Sequence, residues 1–253
     1  MDSISPEELE HRRWLASLVA PVGEGEVLVD FGCGNGKDLQ LIADRNSDAN
    51  ARFVGVDHSV QALESARSLL RADSRVQLLK HDLRQSLPFA GPTLDIAYSN
   101  NLLECLGNKR HFLRELADTL KPGGHIVFAH WDWDTQVFNG SDKELLREVL
   151  HTFSDWQQPW MDHCDGWMGR RLWGTFADTG AFEGDVLART MCGTTFGPDS
   201  YGYDRLLNLR ELVTSGRLAQ ESYDTLWKEQ EELAAAGQFF HSITAYVFVG
   251  KRT

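Results

Sequence analysis

Seven consecutive residues, Asp30-Phe31-Gly32-Cys33-Gly34-Asn35-Gly36, carry the densest chemistry in the chain. Alternate glycines free the backbone for positive φ and let a ligand lie against the main chain. Their G-x-G-x-G spacing differs from the G-x-G-x-x-G that cradles a dinucleotide. Asp30 stands just before them. A carboxylate there repels a pyrophosphate and suits an amine, so the expected ligand joins an adenosine to a cationic amino-acid tail. Asp57 follows the apolar Val54-Gly55-Val56, about 20 residues past the turn, where an acid of such a fold reaches ribose hydroxyls. Asp82, after Leu78-Leu79-Lys80-His81, is a third acid at the end of an apolar run.

The most unusual stretch is His130-Trp131-Asp132-Trp133-Asp134. In an extended backbone His130, Asp132 and Asp134 share one side and Trp131 and Trp133 the other. Six of the eight tryptophans lie between Trp131 and Trp173, among Asp155, Asp162 and Asp165. This composition reads as an aromatic, acidic pocket for a flat or cationic compound, because indole faces attract cations and stack on rings. The plainer alternative is that the tryptophans pack a cap against a sheet. His130 is a candidate general base, since neutral imidazole accepts a proton near pH 7, and Asp132 a candidate to orient the acceptor. His163-Cys164-Asp165 lacks metal-ligand spacing, and no metal is expected.

The elements that position these residues alternate strand and helix. Apolar runs end at Asp30, Asp57, Asp82 and Ser99-Asn100, and a fifth strand is expected at 125–129 after Lys121-Pro122-Gly123-Gly124. A sixth strand is expected at 185–191 and a last one at 244–251. Helical patterns cover 6–19, with Ser5 as N-cap and Pro6 at the first helical position, and 60–70, 109–120, 203–213 and 222–236.

Five motifs stand in order over roughly residues 25–130: D-x-G-x-G-x-G, V-G-V-D, H-D-L, L-D-I-A-Y-S-N-N-L-L and L-K-P-G-G. Together they resemble the class I S-adenosylmethionine (SAM)-dependent methyltransferases, most of all the small-molecule branch that includes the ubiquinone/menaquinone C-methyltransferases. The resemblance implies an α/β fold: a seven-stranded, mostly parallel Rossmann-like sheet with helices on both faces and an antiparallel last strand. It implies SAM as cofactor and S-adenosylhomocysteine as product. Asp30, Gly32, Cys33, Gly34, Asn35 and Gly36 would then surround the methionine part, and Asp57 the ribose. His58, Asp82 and Leu83 would lie at the adenine, with Ser99 and Asn100 beside the amine.

The expected organisation is one domain, 1–253. It comprises an N-terminal helical segment 1–24, a SAM-binding core 25–133, and a helical cap from insertions 134–166 and 196–240. Loops at the carboxyl edge of the strands build the crevice of open α/β sheets, so the cap should cover it. Asn101, Trp131, Trp133, Asp134, Trp167, Arg170 and Tyr203 are the acceptor-side candidates, with Arg171 beside them. Arg12, Arg13 and Trp14 are candidates to close the site from the N-terminal helix.

Composition narrows the partners. A net charge of -12 argues against a nucleic-acid substrate, which needs a basic footprint. No run approaches the ~20 apolar residues of a membrane span. The acidic start is unlike a signal peptide. Four scattered cysteines fit a reducing cytoplasm. The expected activity is in-line methyl transfer to a small aromatic or nitrogen-bearing metabolite, with N- or C-methylation open. The alternative is a non-catalytic SAM-binding regulatory or assembly module. A nicotinamide dehydrogenase is disfavoured by the position of Gly36 and by Asp30. Oligomeric state is not legible.

Overall fold

The computed structural model describes residues 4–253. The first three residues of the expected N-terminal segment lie outside the described residues. The chain runs α1 (Pro6–Leu18), β1 (Val27–Phe31), α2 (Lys37–Arg45), β2 (Arg52–Asp57), α3 (Val60–Leu70), β3 (Val76–Lys80) and β4 (Leu94–Asn100). It continues α4 (Lys109–Thr119), β5 (Leu120–Phe138), α5 (Lys143–Ser154), α6 (Met168–Ala177) and β6 (Phe182–Gly193). It ends α7 (Tyr201–Thr214), α8 (Gln220–Ala235) and β7 (His241–Arg252). Side chains of Ser5, Ser59, Asn108 and Asp142 accept backbone N–H groups at the starts of α1, α3, α4 and α5. Each such cap is worth about 1 kcal/mol.

The seven strands form one sheet in the order β3-β2-β1-β4-β5-β7-β6. The first five are mutually parallel, and β7 is antiparallel to both β5 and β6. Alternation along the strands builds two cores. Leu28, Phe53, Ile96, Tyr98, Val127 and Ala129 pack against α1, α2 and α3. Val29, Val54, Ala97, Ile126 and Phe128 pack on the other face against α4 and α6. The strand order reverses about β1, which opens a crevice at the carboxyl ends of β1 and β4.

Two expectations change. The fifth strand is far longer than 125–129: residues 134–138 continue it, because Val137 and Phe138 pair with Ser242 and His241 of β7. The first insertion therefore leaves the sheet after Phe138. Helix α6, which follows that region and carries the acceptor-side candidate Arg170, packs Met168, Leu172 and Phe176 onto the sheet itself. Helices α5, α7 and α8 share a separate core built on Val149, Leu206, Leu209 and Leu226, which gives the expected helical cap its own packing.

Candidate functional site

The glycine turn is tied to β2. The N–H groups of Gly32 and Cys33 donate to the Val56 carbonyl at 2.8 and 3.1 Å. Gly34 N–H donates to Asp57 Oδ2 at 2.9 Å, and Ser59 N–H to Asp57 Oδ1 at 2.8 Å. Asp57 Oδ2 thus keeps a free lone pair, while His58 Nδ1 lies 3.5 Å from Oδ1. Gly36 has φ 81°, and a Cβ there would meet Leu70 at 2.8 Å. Gly34 has φ 52° and nothing within 4 Å of the same position, so the turn borders open space. Asn35 is exposed, while Cys33 is buried.

Asp30 is buried below the turn, and its Oδ2 has no partner among the described residues. Burial drives its carboxyl well above the usual range, and the charges of Asp38 and Asp57 push the same way. Asp38 is one residue whose role the sequence did not reveal. It accepts from Arg12 Nη1 at 2.6 Å and from Asn100 Nδ2 at 2.9 Å, joining α1, α2 and the end of β4. Its position in the first helical turn after the glycines was the available signal. Ser99 is turned inward instead, donating to the Phe31 carbonyl at 2.7 Å.

Three cavities open along this edge, and Asn101 borders all of them. Asn101 has φ 61°, the only positive φ outside glycine among the described residues. Its Oδ1 accepts the Trp131 N–H at 3.0 Å. Asparagine tolerates this conformation better than other side chains, and such outliers concentrate at functional corners.

The first cavity, about 140 Å³, is lined by Gly32, Asp57, His58, Asp82, Leu83 and Leu102, among others. Asp82 is held by Arg84, with contacts of 2.8 and 2.7 Å that depress its carboxyl to about 2. The second, about 760 Å³, lies between α1 and the cap, with Arg12, Asn100, Trp131, Trp133, Tyr201 and Arg205 on its walls. Arg13 is exposed, and Trp14 packs beside His11 at 5.8 Å. The third, about 310 Å³, is bounded by Glu104, Trp133, Phe153, Trp156, Cys164 and Arg205.

Strand alternation separates the candidates of the fifth strand. Trp131 and Trp133 border the cavities; His130 and Asp132 border none of these three. His130 is buried, with Nδ1 2.9 Å from the Trp131 carbonyl and Nε2 3.4 Å from the Glu104 N–H. Those contacts assign its proton to Nδ1, and burial lowers its pKa to about 4. Asp132, 0% exposed, forms a two-pronged pair with Arg170 at 2.5 Å on each prong. Asp134 accepts the Trp167 indole N–H, and Arg170 and Arg171 lie over that ring at 4.7 and 5.2 Å. Tyr203 packs on Phe196 and Trp227 within the cap. Among the described residues, no group of three or more His, Cys, Asp or Glu is arranged to hold a metal.

Glu104 and Arg205 were not singled out from the sequence. Glu104 is buried, accepts the Trp133 indole N–H at 2.7 Å, and sits 3.9 Å from His130 Nε2. Burial pushes its carboxyl up to about 8, against the Trp133 hydrogen bond. Neither residue belongs to a recognisable local motif. They become neighbours only when the cap folds over the end of the sheet.

Residues 29–126 match a family model described as a methyltransferase domain. An uncharacterized 37.1 kDa protein from a Streptomyces fradiae transposon is 28% identical over 90% of this chain and 63% of its own length. The trans-aconitate 2-methyltransferase of an Azoarcus species is 36% identical over 47% of this chain and 45% of its own. A geranyl diphosphate methyltransferase solved with SAM shares the fold: TM-score 0.57, 18% identity, 97% of this chain and 86% of that one. The chain spans about half to two thirds of the length of the curated relatives it matches first. The class I methyltransferase pattern recognised in the sequence is borne out by this family match and by the sheet order.

Proposed function

We propose that this chain, whose core is a methyltransferase domain of the SAM-dependent class, transfers a methyl group to a small, flat organic acceptor. The observation that carries the reading is the meeting of three cavities at Asn101, with the glycine turn and two acids on one side and an aromatic wall on the other. The residues fit SAM. Open space faces Gly34, Asp57 Oδ2 keeps a free lone pair, and the buried Asp30 Oδ2 has no partner among the described residues, where a nearby cation would favour the carboxylate. Gly32, Gly34 and Asp30 would hold the amino-acid end, Asp57 the ribose, and Asp82 and Leu83 the adenine. When bound, SAM supplies an electrophilic methyl carbon on a sulfonium.

The chain's own residues then position and dehydrate the acceptor. Trp131 and Trp133 offer stacking faces and exclude water, each good contact being worth about 0.5–1.5 kcal/mol. Alignment of the nucleophile is the larger contribution, and misplacement by about 1 Å costs roughly a hundredfold. Glu104, near neutrality at working pH, is better placed than His130 to hold or release a proton at the cavity wall. The case for an amine acceptor rested on the Trp/Asp cluster, and its two acids on β5, Asp132 and Asp134, are engaged with Arg170 and Trp167. An aromatic or otherwise planar body is therefore the part of the acceptor we retain.

The net charge and the four free cysteines support a cytoplasmic enzyme with a small-molecule rather than nucleic-acid partner. No helix among the described residues is long and apolar enough to cross a membrane. Calorimetry with S-adenosylhomocysteine and with NAD tests the reading. The first should bind and the second should not, and Gly34→Val should abolish binding by filling the open space and disfavouring φ > 0. NAD binding alone would sink it. Binding without transfer of a labelled methyl group to any metabolite-extract component would favour the non-catalytic module.

A further inference from the structure

Among the described residues, Arg205 has no carboxylate as counter-ion. Arg12, Arg75, Arg84, Arg170 and Arg171 each hold a carboxylate at 2.7 Å or less. Arg205 instead lies over three rings, 5.1 Å from the centre of Trp133, 5.2 Å from Phe153 and 5.9 Å from Tyr201. Its Nε is buried and has no hydrogen-bond partner among the described residues. Rings answer part of the charge but leave the Nε–H donor without an acceptor. A buried donor without an acceptor is uncommon in a native fold and costs free energy until one arrives.

Its location says what arrives. Arg205 stands in α7 of the cap and borders the two cavities that Trp133 also borders, not the one beside Asp57 and Asp82. The second and third cavities therefore share a guanidinium and an indole face. Arg205, Arg12 and Lys37 line these cavities against Glu8, Asp204 and Glu211, three charges of each sign, so no surplus of positive charge favours a doubly charged group. A single carboxylate matches the fork of one guanidinium through two parallel hydrogen bonds.

We infer that Arg205 selects the acceptor by taking a carboxylate on it, while the flat body of the acceptor lies against Trp133. This rests on the methyltransferase reading for the word acceptor, but the anion site itself can be tested separately.

The test is calorimetry with benzoate, benzamide and phenyl phosphate on the full chain, with and without S-adenosylhomocysteine. Wild type, Arg205→Gln and Arg205→Lys are compared, and thermal melts check folding. Benzoate should bind wild type at least about tenfold tighter than benzamide. Arg205→Gln should lose about 10- to 100-fold in benzoate affinity, the range of a charge-assisted pair. It should change benzamide little and S-adenosylhomocysteine by less than about threefold. Arg205→Lys should retain part of the preference, which a merely misfolded cap would not. The inference is overturned by equal binding of benzoate and benzamide to wild type, or by a preference that survives Arg205→Gln. It is also overturned if phenyl phosphate binds tighter than benzoate, or if S-adenosylhomocysteine affinity falls as far as benzoate affinity. If wild type fails to bind S-adenosylhomocysteine, the methyltransferase reading fails, and benzoate on the ligand-free protein still decides the role of Arg205.

Discussion

The carboxyl end of β5 has two faces made from one alternating run of acids and tryptophans, and they have opposite characters. On one face Asp132 is closed by Arg170, and Asp134 by the Trp167 indole. On the other, Trp131 and Trp133 front cavities of about 760 and 310 Å³. The open face holds a guanidinium without a carboxylate and a carboxyl that burial keeps largely protonated. Richness in aromatic and acidic residues is therefore common to both faces. The faces differ in whether each polar group finds its partner within the chain. Unmatched donors and a neutral buried acid mark where a ligand completes the structure, and closed pairs mark where the fold completes itself.

The largest expected effect breaks the closed face. Arg170→Met leaves the Asp132 carboxylate, 0% exposed, with only the residue-170 backbone N–H at 3.2 Å. A buried charge left without its counter-ion costs about 3 kcal/mol or more. Urea denaturation should show that loss, while S-adenosylhomocysteine affinity stays within a few-fold. The double variant Arg170→Met with Asp132→Asn should recover much of the stability. Loss of cofactor binding at unchanged stability would instead put the closed face inside the site.

A smaller effect sharpens the open face. Glu104 has its carboxyl raised from 4.5 to about 8 by burial, in the company of Trp133, His130, Asp165, Lys109 and Arg205. Below about pH 4.5 both folded and unfolded chains hold this proton, and its contribution to stability is intact. Between 4.5 and 8 the unfolded chain releases the proton first, so stability falls as pH rises, and the loss is complete above 8. Glu104→Gln keeps an acceptor for Trp133 and has nothing to ionise. It should gain on wild type as pH climbs from 5 to 9, by about 1–3 kcal/mol at the upper end. Denaturation curves at both ends of that range check the slope. A constant difference would show that Glu104 is not held neutral.

Much of this contrast was legible in the residues, and part could not be. Period-two alternation correctly sends Trp131 and Trp133 to one side and His130 and Asp132 to the other. It does not say which side faces the crevice, because that depends on α6 docking beneath the strand. The spacing of Met168, Leu172 and Phe176 carries the signal of α6, though the tryptophans around it suggest a pocket. Asp30, Asp57 and Asp82 are readable because strand ends are local features. Glu104 and Arg205 are a hundred residues apart and acquire meaning only through cap packing. The length of β5 is similar, since residues 134–138 stay extended by pairing with β7 rather than by propensity.

The smallest effect compares two tryptophans, one from each environment. Trp167 is 42% exposed, and its indole N–H meets Asp134 at the surface. Trp167→Phe keeps the ring that Arg170 and Arg171 cover and removes one solvent-accessible hydrogen bond, so stability should shift by no more than about 0.5 kcal/mol. Trp133→Phe makes the same chemical change on the open face. There the lost N–H was the donor to a buried carboxyl, and no water-facing route replaces it. The cost should be about 1 kcal/mol, and the Glu104 pKa should rise further because a bond to its charged form has gone. The two variants differ by one polar atom each, so the comparison removes ring size and hydrophobicity from the argument. Thermal or urea denaturation of both at pH 7 gives the ranking. Should Trp167→Phe prove the more damaging, burial rather than openness governs that face, and Trp133 belongs with the packing residues of the cap.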